Sequence, residues 1–154
     1  MVNELVIRRD DPAAAHVAAL LAYHLAELRS VMASHAFALD ATGLSAPEVT
    51  FWTAWRGDAL AGFVALKVLD DRQGELKSMR AAPAFRGTGV GRALLLHVIA
   101  EARARGYARL NLETGTGALH APAVALYRSA GFVGCDAFAD YAPSPYNQFM
   151  TMVF

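Results

Sequence analysis

The run Arg86-Gly87-Thr88-Gly89-Val90-Gly91-Arg92, leading into an apolar helical pattern from Ala93 to Ala102, has the make-up of an anion cradle. Glycines at alternate positions remove the Cβ atoms that would hold a ligand off the backbone, so several N–H groups can converge on one oxyanion. A helix starting there adds its orphan first-turn N–H groups and the positive end of its macrodipole, the dipole alone contributing ~0.3–2 kcal/mol. The expected ligand is a phosphate or pyrophosphate. Gly91 is followed by Arg92 and Ala93 rather than by Lys and Ser/Thr, which argues against a Walker loop and a nucleoside triphosphate. The dinucleotide fingerprint fits loosely, because the loop reads G-x-G-x-G and the strand-end carboxylate, Glu113, follows only after a full helix and strand. Other reactive groups carry less. Cys135 has no His–Asp arrangement near it in the sequence, and His16, His24, His35, His97 and His120 form no i, i+4 pair, so neither a covalent acyl carrier nor a metal site is expected.

The elements around the loop are legible from periodicity. Upstream, Gly74 to Ala81 reads as a strand that Pro83 stops. Downstream, Gly91, Leu94, Leu95, Val98, Ile99 and Ala102 form one helical stripe, and Gly106 suits the position just past the helix end. Arg109 to Thr114 alternates with period two and is a strand; Ala121 to Ala130 is a short helix ended by Gly131. In the amino-terminal half, Leu5 to Arg8 is a short strand, and Asp10 or Asp11 with Pro12 opens a helix whose inner face holds Val17, Leu20, Leu21, His24, Leu25 and Leu28. Ser30 to Ser45 reads as a loop with one helical turn at most. Val49 to Trp55 and Ala59 to Leu69 pair as a hairpin across Arg56-Gly57-Asp58, and Phe149 to Phe154 is a last apolar strand.

Two motifs in this order resemble the GNAT superfamily of acetyl-CoA-dependent N-acyltransferases: Arg86-x-x-Gly89-x-Gly91, and the closing A-x-x-L-Y-x-x-x-G-F at Ala123 to Phe132. The resemblance covers residues 49 to 135 by motif and the amino-terminal third by element order. It implies a mixed α/β fold: a twisted, mostly antiparallel sheet of about seven strands with flanking helices and a splayed central strand pair. It implies acetyl-CoA as co-substrate, with Met79, Arg80 and Ala81 meeting pantetheine through main-chain groups and Arg86, Gly87, Thr88, Gly89, Val90, Gly91 and Arg92 holding the pyrophosphate. His120 stands where the family often has an Asn that touches the cofactor. The implied reaction is attack of a neutral amine on the thioester by direct transfer. Removing a proton from a lysine-like amine at pH 7 costs about 4.6 kcal/mol, against about 1 kcal/mol for an α-amine, so a base matters chiefly for the first. Tyr127 matches the family's proton donor to the leaving thiolate. Glu75 and Glu113 compete as base, with Glu75 favoured because its register needs no insertion. His24, Glu27 and Trp52 are candidate acceptor-pocket residues, while core packing is the competing account of His24.

Composition sets outer limits. The 154 residues, 55% hydrophobic and with zero formal net charge, suit one domain spanning 1–154 and give no nucleic-acid or polybasic membrane footprint. No run of 18 apolar residues occurs, Met1 to Leu5 lacks the features of a signal peptide, and the single cysteine suits a reducing compartment, so a cytoplasmic enzyme is expected. The expected partner is a small-molecule or peptide amine; exposed apolar residues such as Leu96 and the Phe149 to Phe154 strand leave a homodimer open. Two readings of other classes remain: a non-catalytic acyl-CoA-binding or regulatory module, and a flavodoxin-like sheet binding another phosphorylated ligand.

Overall fold

A computed structural model describes residues 4–32 and 38–154; His35 and Phe37, in the segment expected as a loop, lie outside the described residues, as do Met1 to Asn3. The elements run β1 (Leu5–Arg9), α1 (Ala15–Met32), α2 (Ala41–Leu44), β2 (Val49–Arg56), β3 (Ala59–Asp70), β4 (Gln73–Ala81), α3 (Val90–Ala104), β5 (Arg109–Gly115), α4 (Ala121–Ala130), β6 (Val133–Cys135) and β7 (Asn147–Val153). Seven strands form one sheet in the order β1-β2-β3-β4-β5-β7-β6, and every neighbouring pair is antiparallel except β4 with β5.

Strand alternation decides what each face of the sheet carries. On one face Val64, Leu66, Leu76, Leu110, Leu112, Met150 and Met152 meet the α3 stripe of Leu94, Leu95, Val98, Ile99 and Ala102. Each buried leucine there contributes roughly 1.5–3 kcal/mol relative to exposure. On the other face α1 lays Val17, Leu20 and Leu21 on Phe51, Phe63 and Ala65. Beyond the reach of α1 the same face turns polar, with Glu75, Lys77, Asn111 and Thr151 all buried. Asn111 donates to Gln73 Oε1 and the Gly74 carbonyl, and Thr151 donates to Asn111 Oδ1 at 2.8 Å, so these groups exchange water for internal partners.

Three boundaries differ from expectation. Helix α1 starts at Ala15, one turn after Pro12, because Asp11 Oδ1 accepts from the Ala13 amide in a turn and Asp10 is committed to His16 and Thr53. It then continues through Ser30 to Met32, and Asp40 caps the one-turn α2 by accepting from the Gly43 amide. Helix α3 begins at Val90, three residues before Ala93, directly on the left-handed Gly89.

Strand β4 is bent by a bulge. Its register against β3 slips between Phe63 and Ala65, and Ser78 adopts φ 54°, left-handed for a residue with a Cβ. Gly62 makes room for it. A Cβ at Gly62 would stand 2.5 Å from the Arg80 carbonyl oxygen and within 3.1 Å of Val90 and Leu94. Gly62→Ala is expected to destabilise the fold by ~1–3 kcal/mol through this overpacking, read from the urea-unfolding midpoint at unchanged m-value.

Candidate active site

The parallel β4–β5 ladder ends at Leu76↔Leu112, although β4 continues to Ala81 and β5 to Gly115. Past that rung the two strands part, and their facing edges no longer pair with each other. A cavity of about 700 Å³ occupies the opening, lined along one strand by Leu76 to Ala81 and along the other by Glu113 to Gly115. The seam thus leaves main-chain groups of Met79, Arg80 and Ala81 accessible beside a cavity.

One arm of the cavity runs to the glycine loop. Arg86, Gly87, Gly89, Val90, Gly91 and Arg92 line it. Gly87 (φ 72°) and Gly89 (φ 88°) are left-handed, and added Cβ atoms would meet nothing within 4 Å; backbone conformation, not crowding, calls for glycine there. The first helical bond of α3 runs from the Ala93 amide to the Gly89 carbonyl, so the amides of Val90, Gly91 and Arg92 have no intrahelical acceptor. These features fit a pyrophosphate. Thr88 does not share in them: it does not line the cavity, its amide and Oγ1 both donate to the Phe85 carbonyl, and its own carbonyl accepts from Arg56. It braces the loop from behind.

The other arm lies under α1. The Arg80 side chain, which projects away from the seam's main chain, donates from Nε to His24 Nδ1 at 2.9 Å and from an Nη to Glu27 Oε1 at 2.8 Å. A guanidinium can only donate, so Nδ1 of His24 must accept and the imidazole must be neutral. Burial, with the Arg80 charge adding to it, takes the His24 pKa down to about 3. Arg80, then Tyr23, hold the Glu27 carboxyl below its ordinary value against the opposing effect of burial. Arg86 reaches back from the loop to the Tyr23 hydroxyl at 2.9 Å and to Glu27 at 3.6 Å, tying the glycine loop to α1. His120, at the start of α4, lies over Gly115, whose missing Cβ would fall 2.2 Å from the ring. Its Nε2 is buried with no protein partner, and burial followed by Arg80 lowers its pKa.

Glu113 and Tyr127 meet where the arms join. Both line the cavity. Asn147 of β7 donates to Glu113 Oε2 at 2.5 Å. Burial raises the Glu113 pKa and Glu75 adds to the rise, while Asn147 and Lys77 oppose it. Burial, followed by the charge of Glu113, pushes the Tyr127 phenol well up, so its proton stays on at neutral pH. Glu75 is placed differently: it is 1% exposed and outside the cavity lining. The Tyr141 hydroxyl donates to its Oε2 at 2.5 Å, and Lys77 Nζ stands 3.4 Å from the same oxygen.

The cavity therefore gathers His24, Glu27, Met79, Arg80, Ala81, the loop from Arg86 to Arg92 apart from Thr88, Glu113, His120 and Tyr127. Glu75, Thr88 and Trp52 stay outside it. Trp52 is buried in the α3-side core, edge-on to His97 at 4.9 Å, on the sheet face opposite α1. Cys135 on β6 is likewise outside the lining. Lys77, Tyr141 and Asn147 were missed from the sequence. Lys77 could have been found, since alternation puts it on the face of Glu75; Tyr141 comes from a segment without periodicity. Among the described residues no group of His, Cys, Asp and Glu could hold a metal ion, and no helix is long and apolar enough to cross a membrane.

Known proteins are similar to this chain in sequence and in fold. The family model described as "Acetyltransferase (GNAT) family" matches residues 11–132, and the chain belongs to that family; it is an acetyltransferase enzyme. It is 46% identical over 146 residues to the uncharacterized N-acetyltransferase YsnE of Bacillus subtilis (strain 168), covering 94% of this chain and 97% of that one. It is 44% identical to the uncharacterized N-acetyltransferase YedL of Escherichia coli (strain K12), over 95% of this chain and 92% of the relative. A GNAT family acetyltransferase from Elizabethkingia anophelis, solved with acetyl-CoA bound, shares the fold with a TM-score of 0.71 at 19% identity, over 97% of this chain and 98% of that one.

The His24–Arg80 contact has a pH consequence. Above pH ~6.5 the imidazole is neutral both folded and unfolded, and the residue is silent. Below it the unfolded chain takes up a proton that the folded chain refuses until about pH 3, so stability falls with pH. Between pH 6.5 and 5 the expected loss from this residue is ~2 kcal/mol. His24→Gln, which keeps an acceptor for Arg80, should flatten that part of the profile when urea unfolding is measured at each pH.

Proposed function

We propose that the protein moves an acetyl group from acetyl-CoA to a primary amine of a small molecule or short peptide, by direct attack within a ternary complex. The observation that carries this reading is the single cavity running from the glycine loop, through the opened β4–β5 seam, to the polar arm under α1, with Glu113 and Tyr127 at the junction. Acetyl-CoA bound there supplies a thioester whose acyl carbon accepts the amine and whose sulfur leaves as a thiolate. The amides of Val90, Gly91 and Arg92 and the open left-handed glycines hold the pyrophosphate, and the free edge of β4 from Met79 to Ala81 orients pantetheine. Glu113 takes the proton of the amine. A raised carboxylate pKa brings that group closer to the pH at which it works. Tyr127, protonated and buried, donates to the sulfur. Glu75 has a different role from the base first favoured in the sequence, because Tyr141 and Lys77 stand against it and it does not reach the cavity.

Free-thiol release with amino acids, polyamines, aminoglycosides and short peptides as acceptors tests the reaction. Tyr127→Phe is expected to lower kcat ~100-fold or more with the KM for acetyl-CoA nearly unchanged, and Glu113→Gln to abolish the ascending limb of the pH–rate profile. No turnover with any amine, together with tight CoA binding, would replace the enzyme with a binding module. The loop is tested separately by calorimetry with CoA. Gly89→Ala places a Cβ in left-handed backbone at ~1–2 kcal/mol and is expected to weaken binding about tenfold, whereas Thr88→Ala should leave it within about twofold.

A further inference from the structure

Lys77 is a buried cation in the wall of the cavity, 7% exposed. Its position follows from strand register. The last paired rungs are Glu75↔Asn111 and Leu76↔Leu112, so the next residues on the parting strands are Lys77 and Glu113. Alternation puts both on the polar face shared by Glu75 and Asn111. Each is the first side chain past the ladder on that face, and both line the cavity.

The lysine is clamped from the side away from the cavity. Its Nζ donates to the Tyr141 hydroxyl at 2.6 Å and lies 3.4 Å from Glu75 Oε2. Tyr141 passes its own proton toward the same carboxylate at 2.5 Å, and its phenol pKa is raised by burial and then by Glu75. The segment bringing Tyr141 is anchored by edge contacts of Phe138 with Tyr141 and Phe149, at centroid distances of 5.3 and 5.8 Å. A buried carboxylate and a phenol thus fix a flexible ammonium in one place.

We propose that Lys77 is a positioning residue for Glu113: held in place by Tyr141 and Glu75, and standing beside Glu113 on the same face of the parting strands, its ammonium supports Glu113 as the base. The catalytic consequence rests on the assignment of Glu113 as base; the electrostatic one does not. Glu75 is then the counter-ion of the lysine. Around Glu113, Asn147 of β7 donates to it, Tyr127 on α4 and Tyr141 after β6 feel its charge, and His24, Glu27, Arg80 and His120 line the same cavity. The positive charge of Lys77 favours the ionised form of Glu113 and the negative charge of Glu75 opposes it.

Those opposite signs give the test. Glu113 is titrated by carbon-13 NMR in protein labelled at the glutamate carboxyl carbons, its signal assigned by loss in Glu113→Gln. Lys77→Met is expected to raise the Glu113 midpoint by about one pH unit, Glu75→Gln to lower it, and Lys77→Arg to leave it within about half a unit. Should Lys77→Met fail to fold with Glu75 uncompensated, the double variant Lys77→Met/Glu75→Gln, which leaves neither charge unpaired, carries the test: its Glu113 midpoint is expected to lie above that of Glu75→Gln alone, and equal midpoints overturn the proposal. A midpoint unmoved by these changes, or moved in the same direction by both, overturns the proposal. The pH profile of thiol release, with whichever amine turns over, separates the two levels: an ascending limb that survives Glu113→Gln removes the base assignment, while midpoints that shift as stated still establish the positioning.

Discussion

Two parallel strands that stop bonding at Leu76↔Leu112 while both chains run on impose the central constraint on this molecule. A sheet that opens leaves polar main chain unpaired, and that is tolerable only where a cavity or a ligand receives it. The bulge at Ser78, the absent side chain at Gly62 and the packing of α3 on β3 and β4 all serve to bend one strand away without unravelling its other edge. The strands stay tied on their outer sides, β4 to β3 and β5 to β7, so the gap has firm walls. Preorganised walls are what orient a reacting pair at little entropic cost.

The polar half of the sheet is the second consequence. Charges buried at the base of the gap would be costly alone, yet each is met: Lys77 by Tyr141 and Glu75, Glu113 by Asn147, Arg80 by His24 and Glu27. Such a network holds groups in fixed places, which matters more for chemistry than for stability.

Local pattern carried most of the fold. The α3 stripe, the alternation of Arg109 to Thr114 and the left-handed demands of Gly87 and Gly89 are short-range facts, and they located the loop, the last parallel strand and the helix bearing Tyr127. The choice between Glu75 and Glu113 was not local. Both sit on strands, on the same face, and only the tyrosine delivered from an aperiodic segment covers one of them. The surroundings of Trp52 were not local either: its strand was legible, but which face met α1 and which met α3 depends on the order of strands in space. Helix α1 began late because Asp10 was already bonded to Thr53, 43 positions away.

The ring of His120 rests on the bare Cα of Gly115, so each position limits what the other can hold. A methyl at 115 cannot enter while the imidazole is there, and a shorter side chain at 120 would leave a void that the glycine alone cannot fill. Neither site is free to drift by itself. Exchanging the histidine for a smaller residue relaxes the demand for glycine at the end of β5, so the two positions at the mouth of the seam form one steric unit.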